Sequence, residues 1–211
     1  MKRRDGRLPD GGSGLERRRV SAIVPGMKWL SALLLLAPMA AAAAESWEQS
    51  YAAYGQLLVT QFVSAPFPHP ARTNGHRYKG AEFPAAKHYA DSTVAVFIPN
   101  GFRETGSVDF VVHFHGWYNS VEGTLRTFKL IEQLVASGRN AVLVVPEGPR
   151  NAPDSFGGKL EDPIGFTRFM EELSTQLQRC GVFKKDFLIG KIILSGHSGG
   201  YRVISAILDR G

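Results

Sequence analysis

The residues best suited to chemistry are Gly196-His197-Ser198-Gly199-Gly200. A serine set between glycines at two-residue spacing can hold its hydroxyl on a tight corner. The apolar run Lys191-Ile192-Ile193-Leu194-Ser195 before it reads as a buried strand, and residues 201–208 after it carry helical spacing. Gly196 and Gly200 have no Cβ, so strand and helix can pass close together. Ser198 then lies near a helix N-terminus, whose partial positive charge suits a developing oxyanion. The pentapeptide alone arises in many Gly-rich loops, and the strand and helix around it are what give it weight.

A second stretch, His113-Phe114-His115-Gly116-Trp117, closes another apolar run. His113 and His115 are two apart on a strand and share a face, as at the start of some metal sites. A His-x-His-x-Asp-His pattern would need further ligands, and Trp117 and Tyr118 stand there instead, so no metal and no cofactor is expected. His115 is read as scaffold at a strand end. His197 is read as pointing away from its neighbour Ser198, shaping the surroundings rather than acting as base. His69, His76 and His88 match no metal spacing, and the sole cysteine, Cys180, sits before Gly181 at a helix terminus, so no intrachain disulfide forms.

The elements that must position these residues alternate. Residues 46–63, with Trp47, Tyr51, Tyr54, Leu57, Leu58 and Phe62, predict a short helix. Residues 65–91, rich in Pro and Gly, predict an irregular surface-wrapping segment. Strands follow at 93–99 and 108–114, a helix at 121–137, a strand at 140–146, a helix at 163–179 and a strand at 191–195. Near-continuous apolar strands alternating with helices imply an α/β domain, its sheet mostly parallel and covered on both faces. The short Gly-containing turn between the first two strands predicts that they pair antiparallel.

In this order of elements, with Gly196-His197-Ser198-Gly199-Gly200 at its end, residues 92–210 resemble the first half of an α/β-hydrolase, of the secreted esterase or polyester-depolymerase type. The resemblance implies an ester hydrolase, less readily an amidase, working through an acyl-enzyme on Ser198. It implies that the backbone N–H groups of Trp117, after the Gly116 turn, and of Gly199 form the oxyanion hole. Loss of one such donor typically costs ~3–4 kcal/mol of transition-state stabilisation. Glu147-Gly148-Pro149 and the loop to Leu160 follow a strand on the same sheet edge and are placed to shape the substrate site.

The leader has its own pattern. Residues 27–44 hold Lys28, an apolar run and an alanine tract, the form of a secretory signal peptide with several cleavage registers open around Ala42-Ala43-Ala44. The apolar span from Trp29 to Ala44 is 16 residues, short for a membrane helix, so no stable span is expected after cleavage. Met27 starts a complete signal, which makes 1–26 an upstream extension. Arg17-Arg18-Arg19 also suggests twin-arginine export, but the residues after it fit poorly, and the general secretory route to the periplasm or outside is preferred. The chain holds 25 basic and 19 acidic residues; residues 1–44 hold 8 and 3 of these, leaving 17 and 16 in residues 45–211. The basic balance belongs to the leader, and nothing clustered remains to argue for nucleic acid.

The hydrolase pattern is incomplete as written. The triad order is Ser, then Asp or Glu, then His, yet Asp209 is the only acid after Ser198 and no histidine follows. The chain also stops mid-helix. The expectation is therefore a truncated, inactive copy: an irregular segment at 45–91, then a partial domain at 92–211 without the C-terminal strands that carry the acid and base. The partner expected is a small-molecule or polymer ester; sequence leaves the substrate and the oligomeric state open. Two alternatives stand beside it: a non-catalytic exported binding domain that retains the half-fold, and a metallohydrolase built on His113 and His115.

Overall fold

The computed structural model describes residues 46–183 and 186–210; the expectations for 1–26 and 27–44 lie outside them. Five strands form one mixed sheet: β1 (Gly55–Gln61), β4 (Thr93–Pro99), β5 (Ser107–Phe114), β6 (Ala141–Pro146) and β7 (Leu188–Gly196), in the order β1-β4-β6-β5-β7. β4 runs antiparallel to both β1 and β6, and β5 runs parallel to both β6 and β7. A small antiparallel hairpin, β2 (His76–Tyr78) and β3 (Ala81–Phe83), stands apart from the sheet and leads into the one-turn helix α1 (Ala85–His88).

Alternation along the strands sorts the core into two layers. Val94, Val96, Phe110 and Val112 face α4 (Gly165–Arg179) and α5 (Gly200–Arg210). On α4 the apolar residues Phe169, Met170, Leu173 and Leu177 recur at helical spacing, and all four are buried. Removing each such side chain from water contributes about 1.5–3 kcal/mol. Ala95, Phe97, Leu143 and Val145 face the other way, onto α2 (Val121–Phe128) and α3 (Leu130–Ser137). Helices thus cover both faces of a mixed sheet, the α/β architecture expected.

Three local expectations are corrected. Residues 55–61 are an edge strand, not part of a helix: Gly55, Val59 and Thr60 disfavour helix, and a Cβ at Gly55 would overlap the Ile98 carbonyl of the neighbouring strand. The strands at 93–99 and 107–114 are not neighbours, because β6 lies between them. β6 is buried along its whole length and takes the central place that a strand apolar on both faces needs. The helix expected over 121–137 is two helices, divided at Lys129, whose φ of 48° is left-handed. The division returns Ile131 and Leu134 to the apolar layer that holds Val121 and Leu125.

β7 is the last strand of the sheet. Leu188 remains 75% and Ile193 52% exposed, so one edge and part of the α2–α3 face carry uncovered apolar side chains. Cys180 caps the C-terminus of α4 and is exposed. Among the described residues no helix is long and apolar enough to cross a membrane.

Candidate functional site

β7 ends at Gly196 and α5 begins at Gly200, so the chain turns within three residues. The His197 N–H donates to the Phe114 carbonyl (3.1 Å), pinning the turn to the end of β5. Ser198 adopts φ 49°, a left-handed conformation that costs a non-glycine residue on the order of 1–3 kcal/mol. α5 then starts at once: the Gly200, Tyr201 and Arg202 N–H groups donate to the His197, Ser198 and Gly199 carbonyls at 3.0–3.2 Å. Two glycines let the corner close. A Cβ on Gly200 would overlap the Phe114 carbonyl, and one on Gly116 would stand 2.9 Å from both the His197 carbonyl and the Ser198 Cβ. The Ser198 side chain is left exposed.

The end of β5 meets this corner. Trp117 lies beside Gly199, where an added Cβ would be 3.0 Å from the indole Cδ1 and would overlap the Ser155 hydroxyl. That hydroxyl accepts a 2.7 Å hydrogen bond from Trp117 Nε1, which fixes the ring. The next residue, Tyr118, is also left-handed (φ 54°), and its N–H donates to the Ala152 carbonyl. The N–H groups of Tyr118, His197 and Gly200 are thus engaged, whereas those of Gly116, Trp117, Ser198 and Gly199 meet no acceptor among the described residues. Strained backbone at Ser198 and Tyr118, beside these unengaged donors, is the kind of clustering found at functional sites.

The histidines around the corner are engaged elsewhere. His115 is buried; its Nδ1–H donates to the Gly116 carbonyl (2.8 Å), and Nε2 lies 3.0 Å from Glu147 Oε1 and 2.9 Å from the Gly148 N–H. Whether Nε2 carries a proton for Glu147 or a lone pair for Gly148, both ring nitrogens serve the scaffold. Glu147, itself buried, accepts the Val121 N–H through Oε2 (3.1 Å) and so holds the first turn of α2. His113 is also buried, with Nδ1 3.0 Å from the Ser195 hydroxyl and Nε2 without a partner. Burial first, then the neighbouring His115 and His197, pushes its pKa down to about 4. His197 turns onto Phe128, with ring centroids 4.4 Å apart. None of the three meets the Ser198 hydroxyl. Engagement of both His115 nitrogens also removes it from the metallohydrolase reading.

Sequence reasoning missed the polar supports of the loop after β6. Asp154 accepts from Arg72 Nε (2.7 Å) and from the Phe156 N–H (3.0 Å). Burial pushes Asp154 up, but these bonds and the Arg72 charge outweigh it and hold its carboxyl below the usual range. Glu161 accepts the Gly157 N–H (2.6 Å) and lies 3.4 Å from Arg202 of α5. Only spatial proximity reveals these pairs, since Arg72 and Asp154 are 82 residues apart. The cavity enclosed by this loop, Phe114, His115 and Gly199 is about 20 Å³, too small for an acyl group, and clefts of about 240 and 460 Å³ elsewhere include none of the corner residues.

No family model and no curated protein matches this chain.

Proposed function

We propose that Ser198 is the nucleophile of an acyl-transfer site and that the protein is of the exported serine ester hydrolase type. The observation that carries this reading is the left-handed Ser198 at a strand-to-helix corner, packed against Gly116, with the Trp117 and Gly199 N–H groups free beside it. In this reading the corner is a nucleophile elbow. Ser198 Oγ attacks the ester carbonyl while a base takes its proton, and the carbonyl oxygen takes up negative charge between the two N–H groups. The base then gives the proton to the leaving alcohol oxygen. Collapse expels the alcohol, and water then releases the acid from the acyl-enzyme. The strand order supports the hydrolase resemblance, and the apolar run with its alanine tract at 27–44 supports export.

The serine also needs a base and an acid to orient that base, and the described histidines supply neither. Added imidazole can act as the base. With a fluorophosphonate and imidazole, one phosphonyl group is expected on Ser198, mapped by peptide mass spectrometry, at a rate that rises with imidazole and falls to nothing in Ser198→Ala. The engagement of His113, His115 and His197 away from Ser198 favours a second reading, a binding domain that keeps the corner as scaffold. It predicts no adduct at Ser198 at any imidazole concentration.

A further inference from the structure

The one exposed indole at this corner has a fixed orientation. Trp117 is 41% exposed, yet its Nε1 is tied to Ser155 and one edge lies against Gly199. The hairpin brings Tyr78 edge-on to it, with centroids 5.1 Å apart and planes at 72°. The Lys79 ammonium lies 5.4 Å over the other part of this pair, the Tyr78 ring. At the far end of the hairpin Phe83 packs against Tyr118 and His88, which holds β2–β3 in place over the strand end. A large apolar ring fixed by a hydrogen bond and a neighbouring ring, but left facing solvent, is a ready wall for a flat ligand.

We infer that Trp117, backed by Tyr78, forms a stacking subsite for an aromatic ring bonded to the ester carbonyl, so that the preferred substrates are aromatic carboxylic esters. This rests on the reading of Ser198 as nucleophile. Trp117 supplies both the N–H for the carbonyl oxygen and the indole wall. The stacked group must therefore lie within the reach of one residue, close to the carbonyl rather than at the end of a long chain. Stacked or edge-on aromatic pairs gain beyond the area they bury, and a saturated ring of equal size forgoes that gain.

The test compares methyl benzoate with methyl cyclohexanecarboxylate in titrations of the 211-residue chain, followed by the Gly199 backbone N–H signal in NMR, which wild type and variants share. Methyl benzoate is expected to bind about two- to tenfold more tightly. The preference should vanish in Trp117→Leu and shrink in Tyr78→Leu, which changes only a hairpin residue outside the sheet. Equal binding of the two esters, or a preference that survives Trp117→Leu, overturns the inference. Binding needs no reaction at Ser198. Loss of the ring preference with Ser198 still phosphonylated defeats this inference alone, whereas absence of phosphonylation defeats the reading beneath it.

Discussion

Replacing Glu147 with alanine is expected to cost about 2–5 kcal/mol of stability, because two buried groups each lose a hydrogen-bond partner at about 1–3 kcal/mol apiece. Glu147 and His115 are both buried, and their side chains meet at 3.0 Å with almost no solvent access. Truncation leaves Val121 with an unpartnered N–H at the start of α2, strips His115 of a contact and opens a void at the centre of the sheet edge. Domains of this size hold only about 5–15 kcal/mol in total, so the loss takes a large share of it. Thermal unfolding should shift down by roughly 10 °C. Glu147→Gln keeps the shape and one acceptor for Val121, and should fall by only about 1–3 kcal/mol. Equal melting of Glu147→Ala and wild type would show that the pair does not anchor the strand end.

The second large effect is on acid stability. His113 is held neutral in the folded chain, its pKa at about 4 against an ordinary 6.5. Above about pH 6.5 it is neutral in both states and has no effect on the balance. As pH falls below that value the unfolded chain binds a proton that the folded chain refuses until about pH 4. Stability therefore declines through this window, by about 3 kcal/mol in all. The depressed carboxyls of Asp91, Asp154 and Glu172 act lower: their contribution is present above their ordinary pKa and is lost as pH falls below it. Urea unfolding at about pH 7 and about pH 4.5 separates the two, since wild type should lose roughly 2.5 kcal/mol more than His113→Gln over that interval. Parallel losses in both proteins would remove His113 as the source.

Much of this arrangement could be read from the chain. Apolar runs at 93–99, 108–114 and 140–146 became strands because they are apolar on both faces, and Phe169, Leu173 and Leu177 declared α4 by their spacing. The Gly-x-Ser-x-Gly corner was legible because each glycine answers a close approach of backbone or ring. Other features had no local signal. Leu57 and Phe62 fit helical spacing, and only pairing with β4 makes their segment a strand. The left-handed Lys129 that splits α2 from α3 has no glycine to announce it. The engagement of His115 by Glu147, and of Asp154 by Arg72, depends on contacts between distant parts of the chain. These bonds decide that His115 is scaffold and that the loop bearing Ser155 is rigid enough to hold Trp117.

Ser198, Gly199 and Trp117 are proposed to form one oxyanion-binding corner. The most direct measurement is the amide ¹H–¹⁵N spectrum before and after phosphonylation of Ser198. The phosphonyl oxygen of the adduct occupies the position of the tetrahedral oxyanion. The Trp117 and Gly199 N–H signals should move downfield, further than those of Tyr118, His197 and Gly200, whose N–H groups already have carbonyl partners. An adduct on Ser198 that leaves the Trp117 and Gly199 signals in place would contradict it.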